Sequence, residues 1–275
     1  MPSESRQIAF LSDFGLGNEW VGICHAVLTD IAPRSPIVDL SHLVRALHVV
    51  SGALLLADCI PYTSRDAVAL AIVDPNVGKD REIAIQTKGG RTLVGPDNGL
   101  LTLAAEAAGG VASLVEITSP DIVRQPITPS FRARDTLCPA AAHLATGVAI
   151  ERLGPSLDPE TLATLDVPEA ETAPGKIRCE VIDYNRFGNI QLNVRASHLA
   201  AAGLDRNEAI EVAAVSATAQ ARRGDTYADF EAGQYGVIVD PRGWLMIVRG
   251  NPGSALEGLG LDIGDPVWLS VPHTS

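Results

Sequence analysis

Ala67-Val68-Ala69-Leu70-Ala71-Ile72-Val73 is apolar at every position and runs straight into Asp74-Pro75-Asn76-Val77-Gly78. A strand with one wet face alternates apolar and polar residues. An unbroken apolar run therefore predicts a strand buried on both faces, as in a parallel sheet covered by helices. The neighbouring segments agree. Residues 7–11 are a short apolar run ending at Ser12-Asp13-Phe14-Gly15, and residues 20–31 read as a helix. Residues 36–40 read as a second strand and 47–59 as a second helix. Residues 82–87 and 92–94 flank Lys88-Gly89-Gly90-Arg91, a hairpin signal. Asp97-Asn98 suits the cap of a helix over 99–108, and Asp135 the cap of another with Pro139 in its first turn. This alternation predicts an α/β domain with a central, mostly parallel sheet.

The texture changes at Glu169-Ala170-Glu171-Thr172-Ala173-Pro174-Gly175, which is acidic, aperiodic and suited to a linker. Beyond it strand patterns dominate, over 176–183, 190–194, 209–215, 237–239, 244–248 and 267–271. Asp240-Pro241-Arg242-Gly243 reads as a turn between two of them. The expected organisation is an α/β domain over 1–170, a linker at about 169–175, and a small all-β, barrel-like domain over 175–275.

Composition bounds the function. The chain has 275 residues and enough apolar residues, 46%, to bury a sizeable core. Its 33 Asp+Glu against 21 Lys+Arg give a formal net charge of -12. That charge repels phosphate backbones and anionic lipid, so neither nucleic acid nor a membrane surface is an expected partner. Cys24, Cys59, Cys138 and Cys179 are scattered without a CxxC pair, so reduced thiols and a cytoplasmic location are expected. No secretory leader pattern opens the chain, and the apolar stretch 46–60 is too short and polar to span a bilayer. The histidines form no HxH or HExxH pair, so their spacing gives no support to metal ligation.

Ligands of α/β sheets bind beyond the carboxyl ends of strands, which singles out the polar segments there. In Ser12-Asp13-Phe14-Gly15-Leu16-Gly17-Asn18-Glu19-Trp20, Trp20 occupies the last glycine of a GxGxxG loop, so the dinucleotide fingerprint fails. Asp13 suits either the two hydroxyls of a ribose or a helix cap. Asp74 and Arg81 flank one turn and suit either a held water or a structural ion pair. Gly95-Pro96-Asp97-Asn98-Gly99 offers turn N–H groups to an anion, or is a plain turn. Ser130-Phe131-Arg132-Ala133-Arg134-Asp135 is a charged loop before a helix. Asn185-Arg186-Phe187-Gly188-Asn189 suits stacking on a nucleobase, or a hairpin with a packed ring.

Taken in order, these segments resemble the adenosine-forming S-adenosylmethionine (SAM) hydrolases, also called SAM hydroxide adenosyltransferases, relatives of the fluorinases and chlorinases. The resemblance rests on Ser12 to Gly15, Val38-Asp39-Leu40-Ser41-His42, Val73 to Gly78 with Arg81, and Gly95 to Thr102. It continues through Ser130 to Asp135 with Ala140 to Ala145, and Arg186 to Asn189. It implies an α/β domain followed by a β-barrel. It also implies a homotrimer with active sites between subunits, and attack of water on C5′ of SAM to give adenosine and methionine. No metal or other cofactor is implied.

Residue by residue, the resemblance places Asp13 at the ribose hydroxyls, and Asp74 and Arg81 in an Asp/Arg/His set that handles the attacking water. Arg132 stands where that His belongs, and Asn18 where the family usually has Asp at the amino-acid end of the substrate. Asp97 and Asn98 fall in a further substrate-binding motif. Phe187 and Asn189 match the adenine side, with Asp183 displaced by two residues from the usual acidic position, where Asn185 stands. Arg249 matches an arginine near the substrate carboxylate. The halide-binding Tyr-Ser motif is missing at Phe131-Arg132-Ala133. An Arg stays charged where a His can take a proton. Two alternatives therefore stand beside hydrolysis: a non-catalytic adenosine- or SAM-binding trimer, and halide-dependent 5′-substitution.

Overall fold

The computed structural model describes residues 5–165, 167–240 and 243–272. The chain divides into two units, 1–166 and 167–275.

In the first unit the apolar run forms β3 (Val68–Ile72), buried at every position. It lies between β1 (Ile8–Ser12) and β5 (Thr92–Pro96), parallel to both. The remaining strands are β2 (Ile37–Ser41), β4 (Glu82–Thr87), β6 (Val111–Glu116) and β7 (Ser156–Leu157). The sheet order is β2-β1-β3-β5-β4-β6-β7. β2, β1, β3, β5 and β6 point one way, while β4 and β7 run against them.

Alternate residues of the central strands feed two cores. Ile8, Phe10, Val68 and Leu70 pack with Leu28 of α1 (Trp20–Ile31) and Leu144 of α4 (Cys138–Ala145). Ala9, Leu11, Ala69 and Ala71 pack with Leu56 of α2 (Val49–Cys59) and Ala104 of α3 (Thr102–Ala107). Each fully buried Leu, Ile or Phe contributes about 1.5–3 kcal/mol relative to exposure. Helices on both faces explain why β3 has no polar position. The chain leaves β1 for β2 on one side, then returns across it to β3 on the other. The β1/β3 boundary is thus the topological switch point, where α/β sheets take their ligands.

In the second unit, β9 (Lys176–Tyr184), β10 (Ile190–Arg195), β11 (Ala209–Ala213), β12 (Thr218–Arg223), β13 (Tyr235–Val239), β14 (Trp244–Arg249) and β15 (Pro266–Ser270) are joined in the order β10-β14-β13-β12-β11-β15-β9. Pairing of β9 with β10 closes the barrel. Ile177, Cys179 and Val181 point inward while Lys176 and Arg178 are exposed, the period-two pattern of a small filled barrel. The segment expected as a linker contains β8 (Glu171–Ala173), which pairs with β9. Two short helices, α5 (Ala196–Ala202) and α6 (Ala255–Leu259), cover the unit. Of the turn expected at 240–243, the Asp240 carbonyl accepts the Gly243 N–H at 2.9 Å, and Pro241 and Arg242 lie outside the described residues.

Candidate active site

Strands β1 and β3 deliver Asp13 and Asp74 to the switch point. They arrive side by side because Ser12 pairs with Ile72, and the Asp13 N–H donates to the Ile72 carbonyl at 3.3 Å. Asp13 Oδ2 accepts the N–H of Leu47 at 2.7 Å. Leu47 holds that N–H in place with φ 61°, a left-handed conformation that disfavours a bulky side chain by roughly 1–2 kcal/mol. Burial pushes the Asp13 carboxyl above the usual aspartate range, against the pull of backbone N–H groups. Asp74 Oδ1 accepts the Asn76 N–H at 2.8 Å, closing an Asx turn. Burial is also the main cause of a raised Asp74 carboxyl, followed, after the opposing Asn76 bond, by the charges of Asp80, Glu82 and Asp13.

Arg81 does not hold Asp74. Its Nε donates to Asp97 at 2.6 Å, and an Nη donates to the Thr161 carbonyl at 2.6 Å and hydroxyl at 3.1 Å. Sheet order is the reason. β4 lies beyond β5, so Arg81 faces Asp97 across the strands, whereas Asp74 sits one strand further away. Asp97 is committed as well. Its carboxylate also accepts the Ala163 N–H at 2.8 Å. The Asn98 amide donates to the Val73 carbonyl at 3.0 Å, and its oxygen accepts the Leu100 N–H. Asn98 therefore fixes the residue just before Asp74. Gly99 completes this turn at φ 91°, where a Cβ would come within 2.8 Å of the Leu165 Cα.

Arg132 leads into a π-helical turn, Ala133–Leu137, and makes two parallel hydrogen bonds to the carboxylate of Glu82. Glu82 is the first residue of β4 and its side chain is 7% exposed, against 25% for Arg132. These bonds hold the guanidinium even more firmly protonated. Asp135, expected as a helix cap, lies inside the π turn and pairs with Arg134 at 2.7 Å. Asn18 sits at the start of α1, where its side chain accepts the Trp20 N–H at 3.2 Å and donates to the Phe14 carbonyl at 3.1 Å.

In the barrel, Phe187 is 66% exposed on the β9–β10 turn, and its N–H donates to Asn185 Oδ1 at 3.0 Å. Asn189 is buried beside Tyr227. Asp183 Oδ1 accepts the Tyr184 N–H at 2.8 Å. Arg249 donates to the Gly233 carbonyl at 3.0 Å and lies over the Tyr235 ring.

Sequence reasoning misses Glu82, Leu47 and the 161–163 brace. None has a local signature, because each acts through a partner remote in the chain. Histidine spacing likewise gives no hint that the fold gathers His25, Asp39 and His42.

Asp13, Asp74 and Asp80 gather at this sheet edge, where Arg81 and Arg132 are held in ion pairs and Lys79 is exposed on the same turn, so acidic charge predominates. Fold and edge together define a class of two-domain protein in which a mostly parallel α/β sheet, with carboxylates gathered at its switch point, is followed by a closed barrel. Residues 8–154 match the SAM hydroxide adenosyltransferase N-terminal domain and residues 179–268 its C-terminal domain, and the chain belongs to that family. A relative from Salinispora tropica, 38% identical over 94% of this chain and 95% of its own, is named (R)-S-adenosyl-L-methionine hydrolase. A fluorinase from an Actinoplanes species is 25% identical over 90% of this chain and 93% of its own. The solved structure of an uncharacterized conserved protein from Thermotoga maritima superposes with a TM-score of 0.86 at 29% identity, covering 96% of this chain and 100% of that one. Among the described residues no helix is long and apolar enough to cross a membrane.

Proposed function

We propose that this protein hydrolyses SAM to adenosine and L-methionine by attack of water on C5′. The observation that carries the reading is the placing of Asp13 and Asp74 side by side at the β1/β3 switch point of a member of this family. The sulfonium makes C5′ electrophilic. As the water oxygen bonds to C5′, the C5′–S electron pair passes to sulfur and methionine leaves as a neutral thioether. The water sheds one proton as it attacks, and that proton passes to the Asp74 carboxylate and from there to solvent. Asp74 accepts a hydrogen bond from that water and steers its lone pair toward C5′. Asp13 takes the ribose hydroxyls, one carboxylate matching two donors. Unpaired acidic charge at this edge favours a cationic substrate over an anionic one.

Arg81 and Asn98 act as positioning residues in this reading, through Asp97 and the Val73 carbonyl. Arg132 cannot serve as a base, because its guanidinium stays charged and paired with Glu82. It tunes the charge near Asp74 instead. Phe187, Asn189 and Asp183 form the adenine side, Asn18 lies toward the amino-acid end, and Arg249 toward the substrate carboxylate. The barrel motif of one subunit serves the sheet edge of the next in a cytoplasmic homotrimer.

The commitment of Arg132 to Glu82 favours a second reading, a trimer that binds adenosine or SAM without turnover. Incubation of the protein with SAM, with and without chloride, separates the readings by liquid chromatography and mass spectrometry. Catalytic adenosine without halide supports hydrolysis. Unchanged SAM with bound nucleoside sinks it, and a 5′-chloro product only with chloride points to substitution.

A pH profile tests Asp74 directly. Only the ionised carboxylate can draw off a proton of the water, so kcat falls as pH drops through its raised pKa, giving an acid limb above the ordinary aspartate range. Asp80→Asn removes a negative neighbour and is expected to move that limb to lower pH, with little change in rate at neutral pH. An unmoved limb would assign it to another group. The stability linkage has the opposite sign. Native Asp13 and Asp74 hold protons to higher pH than the unfolded chain, so their contribution to stability falls as pH rises through that window.

A further inference from the structure

We propose that His25, Asp39 and His42 form a binding site for a divalent first-row transition ion, zinc by its donor set. His25 lies on α1, Asp39 on the edge strand β2, and His42 directly after that strand. Both imidazoles aim Nε2 at the same carboxylate oxygen, Asp39 Oδ1, at 2.9 and 3.0 Å. Donors at about 2.0–2.1 Å around a tetrahedral zinc stand roughly 3.3 Å apart, so small side-chain movements admit the ion.

A second observation is independent of that spacing. His42 is 5% exposed, and its Nε2 is a buried nitrogen that satisfies no well-formed hydrogen bond, its one polar neighbour in reach being Asp39 Oδ1 at 3.0 Å among the described residues. An orphaned buried ring nitrogen is costly, and a metal bond would satisfy it. The other ring nitrogen is already oriented. His42 Nδ1 lies 2.7 Å from Ser12 Oγ, so with its proton on Nδ1 the ring turns a free Nε2 lone pair to the cluster. Phe10 packs edge-on against the His42 ring, with centroids 4.6 Å apart, and fixes its plane.

His25 and Asp39 keep 34% and 44% of their side-chain surface exposed, which provides an entry path and an open fourth position for water. An ion here ties α1 to the end of β2 and, through Ser12, to the residue before Asp13. That is a structural tie outside the proposed hydrolysis, and it stands or falls separately from it.

The test uses tag-free, full-length protein stripped with chelator and dialysed. Zn²⁺ is titrated against a chromophoric chelator, and Co²⁺ binding is read by visible absorption. One equivalent per chain is expected, with a tetrahedral cobalt spectrum that lacks a thiolate charge-transfer band. His25→Gln and Asp39→Asn, both at accessible side chains, are each expected to weaken binding at least tenfold with an unchanged circular dichroism spectrum. Absence of saturable uptake, uptake unaltered in both variants, or a thiolate band pointing to the cysteines would each overturn the proposal.

Discussion

Asp74→Asn is expected to lower kcat for adenosine formation by about 10²–10⁴-fold, the range over which a positioned acid–base group acts. The substitution is nearly isosteric. The new side-chain oxygen can still accept the Asn76 N–H, so the turn after β3 survives. What disappears is the negative charge that draws a proton of the attacking water. KM should change little, because Asp74 is assigned to the water and Asp13 to the ribose. Folding stability should hold or rise, since Asp74 is ionised at a cost among Asp13, Asp80 and Glu82. Steady-state kinetics with a thermal melt of the same sample decide the matter. A variant with full kcat would remove Asp74 from the reaction, while a joint loss of rate and melting temperature would mark it as a structural residue.

Local chemistry made much of this arrangement readable, and non-local chemistry hid the rest. The all-apolar run around Val68–Ile72 could only be a doubly covered strand, and the helix Trp20–Ile31 begins and ends where its pattern does. Asp13 and Asp74 were legible because strand ends are visible in sequence. Sheet order is not. Arg81 follows Asp74 closely in the chain, yet β5 intervenes in space, so its partner is Asp97. Thr218–Arg223 alternates polar residues only with the small Ala219 and Ala221, a weak signal, and it became a strand because β11 and β13 pair with it on either side. Glu171–Ala173 has linker composition, but β9 gives it a ladder to join. The His25, Asp39 and His42 cluster needs α1 to lie over β2, which no spacing rule contains.

Arg132→Ala is expected to destabilise the α/β domain by about 2–4 kcal/mol, because it leaves the Glu82 carboxylate buried without its counter-ion. The figure sits toward the low end of buried-pair losses, since Arg132 keeps a quarter of its side chain in water. At roughly 2–4 °C per kcal/mol for a domain of this size, the first unfolding transition should fall by several degrees or more. Glu82→Gln should cost less, because the orphaned guanidinium can turn toward solvent. The double variant Glu82→Gln/Arg132→Ala should recover part of the loss, and that recovery is the decisive measurement: strict additivity would mean the two groups do not stabilise one another. Function should follow the same charge. With Arg132 gone, Glu82 acts unneutralised on Asp74, so the acid limb of the pH–rate profile should move further up, and Glu82→Gln in the same background should bring it back. A His at this position could exchange protons with solvent near neutral pH, whereas the Arg132–Glu82 pair holds its charge fixed across that range. The rate of this protein should therefore lack any imidazole-like limb between the raised aspartate and the basic side of its profile.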